Sequence, residues 1–280
     1  MKNILIPTDF SENSWNAIAY ALLLFKEFKC SFYLLHVTQP HVYATADVPL
    51  VTFPRDIDQI LQTEARKELE KTLARIEGEH RNPNHRFELL SAYDFFIDTM
   101  RQEVEDKDID LIVMGTKGAS GLKEMTVGSN TGDVITKVKC PVLAVPENVA
   151  FRPPEEIAFP TDYTLQYSVR VLDTLTFLAE MFQSTIRVLH VIRNEEERLS
   201  DAQKRNKELL GDYLRDKKHS FHQLTHKNLS EAVQCFTESR DIDWIAMMAK
   251  KLNFSQQILF RPTVAKMSYH TRIPFLVLHE

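Results

Sequence analysis

Apolar positions along the chain alternate between short continuous runs and stripes of helical period. In the first half, Asn3 to Ile6, Ser31 to Val37, Arg86 to Ala92, Ile109 to Met114 and Val142 to Val145 read as strands. Between them lie helical stretches. Ser11 is placed to cap a helix whose apolar face is Trp15, Ile18, Leu22 and Phe25, at spacings of three and four. Ile57 to Glu79, Phe95 to Glu105 and Ser129 to Val138 read as further helices. The second half follows suit. Leu165, Val169, Leu172, Leu175, Ala179 and Phe182 form one face of its first helix, and the charged Asn194 to Lys218 reads as its next helix. Strands alternating with helices predict a parallel sheet covered on both faces. In such sheets ligands bind beyond the carboxyl ends of the strands, where strand order reverses.

The chain also repeats itself. Ile6-Pro7-Thr8-Asp9 returns as Phe159-Pro160-Thr161-Asp162, offset by 153, and Leu34-Leu35-His36-Val37 returns as Val188-Leu189-His190-Val191, offset by 154. Asp108-Ile109-Asp110 and Pro141-Val142-Leu143-Ala144-Val145 return as Asp241-Ile242-Asp243 and Pro274-Phe275-Leu276-Val277-Leu278, both offset by 133. Order is kept, so this is a tandem duplication. It predicts domains over residues 1–147 and 155–280, with Pro153-Pro154 stiffening the joint. The first copy is the longer because Thr38 to Asp56 forms a loop there, either a lid or a plain surface excursion.

Composition narrows the class. The chain has 44% apolar and 26% charged residues, an ordinary folded mixture. Its longest apolar stretch, Ala17 to Phe25, falls far short of the roughly 20 residues of a membrane span. Pro7 and Asp9 interrupt the early apolar run, so it does not read as a signal peptide. A net charge of -5, with no basic stripe longer than Lys217-Lys218-His219, argues against a nucleic-acid partner. Three scattered cysteines, Cys30, Cys140 and Cys235, read as buried apolar thiols in a reducing cytoplasm.

Glycine carries the chemistry. Only seven occur in 280 residues, yet Gly115, Gly118, Gly121, Gly128 and Gly132 fall within 18. The segment follows an apolar strand and ends in Gly128-Ser129-Asn130-Thr131, which opens a helix. A helix start offers free N–H groups and a partial positive charge, so it suits a phosphate. Ser129 adds a hydroxyl and Asn130 an amide. A flexible loop before an ordinary helix cap is the alternative reading. Asp9, just past a strand end, is placed either to accept from ribose hydroxyls or to favour the first helix's positive end.

Gly115-x2-Gly118-x9-Gly128-Ser129 resembles the nucleotide-binding pattern of the universal stress protein family at every fixed position. Pro7-Thr8-Asp9, His36-Val37 and the closing Cys140-Pro141-Val142-Leu143-Ala144-Val145 are similar to that family too. The resemblance covers the first copy and, less sharply, the second. It implies two flavodoxin-like (adenine nucleotide alpha hydrolase-like) domains, each a five-stranded parallel sheet of order 3-2-1-4-5 between helices. It also implies that the last strands pair within the chain as an intramolecular pseudo-dimer. Carried over to this sequence, the resemblance implies an ATP site, with or without Mg²⁺. There Asp9 and Pro7 meet the ribose, the Val37 backbone meets the adenine edge, and Met114, Gly115 and Gly118 wrap the ribose and first phosphates. Gly128, Ser129 and Asn130 hold the later phosphates. AMP and cyclic AMP stay open as alternatives, as do a homodimer of the whole chain and an unidentified protein partner.

In the second copy Ala249, Leu252, Arg261 and Pro262 stand where Gly115, Gly118, Gly128 and Ser129 stand in the first. Pro262 has neither N–H nor hydroxyl, so that copy is not expected to bind ATP in the same way. His219, His222 and His226 are the candidate metal cluster, with no cysteine to complete a set. No Walker loop and no nucleophile elbow is present. The expected activity is nucleotide-dependent regulation in a stress response, with weak ATP hydrolysis at most. A scaffold with a vestigial site is the competing reading.

Overall fold

A computed structural model describes residues 2–39, 55–116, 129–165, 167–249 and 273–279. The first half contributes β1 (Lys2–Pro7), α1 (Glu12–Leu24), β2 (Cys30–Thr38), α2 (Arg55–Glu79), β3 (His85–Tyr93), α3 (Phe96–Asp106), β4 (Leu111–Gly115), α4 (Ser129–Lys137) and β5 (Val142–Val145). The second contributes β6 (Glu156–Pro160), α5 (Val169–Met181), β7 (Thr185–Ile192), α6 (Asp201–Leu214), β8 (His219–Thr225), α7 (Leu229–Ser239), β9 (Trp244–Met248) and β10 (Phe275–Leu278).

The ten strands make one sheet of order β3-β2-β1-β4-β5-β10-β9-β6-β7-β8. Each half is thus a parallel set of order 3-2-1-4-5, and the two meet at a single antiparallel seam. There Phe275 faces Ala144, Leu276 faces Leu143 and Val277 faces Val142. This seam hides two apolar edges that would otherwise template aggregation. Side chains alternate across the sheet into two apolar layers, each running through both halves. One layer holds Ile4, Ile6, Val113 and Leu143 with Phe159, Trp244 and Leu276 under α1, α2, α5 and α6. The other holds Leu5, Ile112 and Val142 with Ile245 and Phe275 under α3, α4 and α7. Within the first layer Trp244 Nε1 donates to the Tyr20 hydroxyl at 2.8 Å, tying β9 to α1. The duplication extends to the backbone: Phe10 and Tyr163, and likewise Asp108 and Asp241, are left-handed at matched places.

Two helix starts differ from the sequence expectation. The first helix of the second half begins only at Val169, which is 65% exposed, and Leu165 lies before it. The left-handed Tyr163 and a bond between Thr161 Oγ1 and the Tyr167 hydroxyl shape the irregular approach to that helix instead. The next helix begins at Asp201 rather than Asn194, because Ser200 and Gln203 form a reciprocal capping box there. Cys30 and Cys140 are buried, and burial raises their thiols to about 11 and about 12. Cys235 on α7 is exposed, a departure from the expectation that all three are buried. No helix among the described residues is long and apolar enough to cross a membrane.

Candidate functional site

Strand order reverses between β1 and β4 in the first half, since α1 leads from β1 outward to β2 while β4 lies on the other side. The crevice at that point is built from the ends of three strands. Pro7 closes β1, buried, with Leu35 as its partner on β2. Beyond Leu35, β2 runs on to Thr38 without a β1 partner, which leaves half-buried Val37 at the crevice edge, paired with Ala92 on β3. Met114 and Gly115 end β4, both buried.

The corner after β1 is tightly organised. Thr8 N–H donates to the Leu35 carbonyl at 2.8 Å, and the Thr8 carbonyl accepts from His36 Nδ1 at 2.8 Å. A carbonyl only accepts, so Nδ1 carries the proton and the imidazole is fixed in one tautomer. The His36 ring stacks on Phe10 at 4.4 Å, and Phe10 sits at φ 63°. Thr8 Oγ1 bonds the Ser14 hydroxyl at 3.0 Å and accepts from Phe10 N–H at 3.1 Å. Asp9 is exposed, and its Oδ1 accepts from Ser11 N–H at 3.1 Å and Ser11 Oγ at 2.6 Å. Ser11 in turn caps α1 through Ser14 N–H. The carboxylate therefore supports the start of α1 while remaining at the crevice surface.

On the β4 side, Thr131 Oγ1 donates to the Gly115 carbonyl at 2.8 Å, a buried bond. It pins the first turn of α4 against the end of β4, and so fixes where Ser129 and exposed Asn130 stand. Gly115 has a packing reason of its own. A Cβ there would fall 2.4 Å from Asn13 Nδ2 and 3.1 Å from the Asn13 carbonyl oxygen. Close approach of α1 is by itself a sufficient reason for that glycine. Gly118 and Gly128, the Ser129 side chain and most of the Thr38 to Asp56 loop lie outside the described residues. Phe10 and Asn13 shape the site without having been singled out from sequence, while Thr8 and Thr131 appeared there only as members of the Pro7-Thr8-Asp9 and Gly128-Ser129-Asn130-Thr131 motifs. Thr131 lies in the first turn of the helix that the glycine segment opens.

The second half repeats the corner and then ties it down. The Thr161 carbonyl accepts from His190 Nδ1 at 2.9 Å, and Asp162 Oδ1 accepts from Thr164 N–H and Oγ1. Here, however, α6 reaches in: Gln203 Nε2 donates to the Asp162 carbonyl and Asn206 Nδ2 to the Tyr163 carbonyl, both at 2.8 Å. The segment carrying Leu252, Arg261 and Pro262 lies outside the described residues. His219 bonds the Lys217 carbonyl, His222 bonds Ser220 Oγ and His226 bonds the Asn228 backbone. No three metal-ligating side chains converge among the described residues.

Sheet order, crevice and helix start define a tandem α/β protein with a crevice at a switch point. The sequence profile of the universal stress protein family matches residues 1–146, and the chain belongs to that family. It is 32% identical over 149 residues to universal stress protein MJ0531 of Methanocaldococcus jannaschii, covering 51% of this chain and 81% of that protein. It is 30% identical over 143 residues to universal stress protein YxiE of Bacillus subtilis, covering 51% of this chain and 97% of that one. A crystal structure of a universal stress protein from Archaeoglobus fulgidus matches the fold with a TM-score of 0.70. That match runs at 17% identity across 99% of this chain and 98% of the other.

Proposed function

We propose that the unit at residues 1–147 binds ATP in the β1–β4 crevice and that occupancy regulates a partner during stress. The unit at 155–280 acts as a partner half without a nucleotide of its own. One observation carries this reading: the Thr131 bond to the Gly115 carbonyl, which sets the N-terminus of α4 at the end of β4. In this reading Gly118, Gly128, Ser129 and Asn130 hold phosphates there, while Asp9 and Pro7 face the ribose and Val37 the adenine. ATP bound in this way would supply charge for the helix start to neutralise. Any Mg²⁺ would travel with the phosphates, because no three-ligand cluster exists among the described residues. In the second half, α6 occupies the corner carbonyls, and Pro262 replaces the serine of the cradle.

The test is the nucleotide content of the purified chain. Denaturation without added nucleotide, followed by mass spectrometry, is expected to release about one ATP per chain. A Gly128→Arg, Ser129→Pro double variant, which copies the second half, is expected to release none. AMP or cyclic AMP in place of ATP would redefine the ligand. No release, with no binding of added ATP at millimolar concentration, would leave the scaffold reading.

A further inference from the structure

At the strand ends opposite the crevice, between the two halves, lies a cavity of about 580 Å³. Its apolar wall comes from Ile4, Phe25, Leu111, Val169, Phe177 and Leu178. Polar groups enter from Lys2, Asp110, Arg170, Thr174 and Asp173, whose carboxylate already accepts from the Tyr213 hydroxyl. That volume is in the ~300–1,000 Å³ range of ligand sites, and a boundary between domains is where such sites concentrate.

The pseudo-two-fold gives this cavity a mate. Ile4 pairs with Leu111 as Ile157 pairs with Trp244, so Asp110 and Leu111 correspond to Asp243 and Trp244. On the helices, buried Ala17, Ile18, Ala21 and Leu24 correspond to Val171, Leu172, Leu175 and Leu178, each 154 residues on. Asn16 and Tyr20 therefore correspond to Arg170 and Thr174.

The chain fills the mate itself. Phe151 packs edge-on against Tyr20 at 5.2 Å, and Tyr20 bonds Trp244. Asn16 Nδ2 donates to the carbonyls of Pro146 and Val149 at 3.2 Å each, and Arg152 pairs with Asp243 at 2.8 Å. One segment, turned at Glu147 and Asn148 with Asn148 at φ 61° and Val149 N–H bonding back to the Pro146 carbonyl, thus supplies an aromatic ring, two backbone carbonyls and a cation. In the open cavity the cation is already present, since Lys2 pairs with Asp110 at 3.2 Å and lies over the Phe177 ring at 4.7 Å. The two aromatic places are not filled from the fold, because Leu111 and Thr174 stand where Trp244 and Tyr20 stand in the mate. Arg170, which makes no ion pair among the described residues, carries donors at the place of Asn16.

We propose that this cavity is a docking site for a peptide segment that makes a turn and presents an aromatic side chain, with its backbone carbonyls directed at Arg170. Its binding mode is that of the chain's own Pro146 to Phe151 segment in the mate.

The probe is a fluorescently labelled hexapeptide of the sequence Pro146 to Phe151, amidated and titrated with the full chain by anisotropy. Saturable binding is expected. Replacing the peptide's phenylalanine by alanine should weaken it at least tenfold. Thr174→Trp in the protein, which fills the cavity as Tyr20 helps fill the mate, should weaken it as much while leaving the circular dichroism spectrum unchanged. Arg170→Ala, on an exposed face, should weaken it severalfold and decides the matter if the tryptophan variant misfolds. Absence of saturation at millimolar peptide overturns the proposal. So does binding unchanged by both variants, which would place the peptide in the mate groove by displacing the linker. Phenylacetate binding where the peptide does not would assign the cavity to small aromatic acids and overturn the peptide reading.

Discussion

Phe10 and Tyr163 hold a left-handed backbone that costs a non-glycine residue about 1 kcal/mol. Each is kept there by a histidine from the neighbouring strand, His36 or His190, whose ring lies against the aromatic one. A turn that glycine could make freely is made by aromatic packing, and glycine is spent elsewhere. Gly115 shows where. A methyl group at that position meets Asn13 Nδ2 at 2.4 Å, Asn13 Cγ at 2.9 Å and the Asn13 carbonyl oxygen at 3.1 Å, so α1 must move away from the end of β4. Overpacking of this kind costs about 1–3 kcal/mol. Gly115→Ala is expected to lower the unfolding free energy by that amount, read as a lower urea midpoint at unchanged m. Adding Asn13→Ala should recover part of the loss, because the two nearest contacts are side-chain atoms. An unchanged midpoint in the single variant would mean that α1 yields without strain.

Most elements were legible in the sequence, because buried parallel strands and striped helices leave distinct periodicities. The seam between Val142 to Val145 and Phe275 to Leu278 could be anticipated only through the family resemblance, which implies that the last strands pair. Helix starts in the second half were not, because the pattern there is apolar or charged on both sides of the true start. The arbiters were local bonds, Thr161 with Tyr167 and Ser200 with Gln203, and hydrophobic spacing does not report them. Of the site, Asp9, Pro7 and the ends of β2 and β4 were legible as strand-end positions. Asn13 was not, because its role depends on α1 closing on a glycine at the end of another strand, and Thr131 was legible only as part of the helix opening, not as the bond to Gly115. The same limit applies to the joint between halves. Tyr20 on α1 reads as one more apolar position, yet its hydroxyl accepts from Trp244 Nε1 224 residues away, in a buried layer. Burying either group without its partner costs about 1–3 kcal/mol. Trp244→Phe and Tyr20→Phe are each expected to destabilise the chain. The double variant should cost less than their sum, with a coupling of about 1 kcal/mol in a double-mutant cycle on urea unfolding. Strict additivity would mean that the bond contributes nothing across the joint.

Because both apolar layers run unbroken through the seam, the two halves share one core and are expected to respond to pH as one body. Three histidines set the direction. His279, next to β10, donates from Nε2 to the Ile135 carbonyl at 2.8 Å and so bridges the halves; burial holds its pKa below the ordinary histidine value. His85 donates from Nε2 to the Phe25 carbonyl at 3.1 Å, and its Nδ1 is buried without a partner. Burial lowers its pKa as well. His222 is lowered by burial and then by Arg240 and Arg187. A lowered folded pKa means that, as pH falls through about 6.5, the unfolded chain takes up protons that the folded chain still refuses. Stability from these groups is complete above that value and is lost progressively below it. The urea midpoint is therefore expected to fall between pH 7.5 and pH 5.5, a window above the range in which ordinary carboxylates titrate. His279→Gln keeps a donor near the Ile135 carbonyl and removes the titration, so the variant should show a shallower fall. An equal fall in both proteins would place the pH response at His85 and His222 rather than at the joint, and no fall at all would mean that these imidazoles accept protons in the folded state as readily as in water.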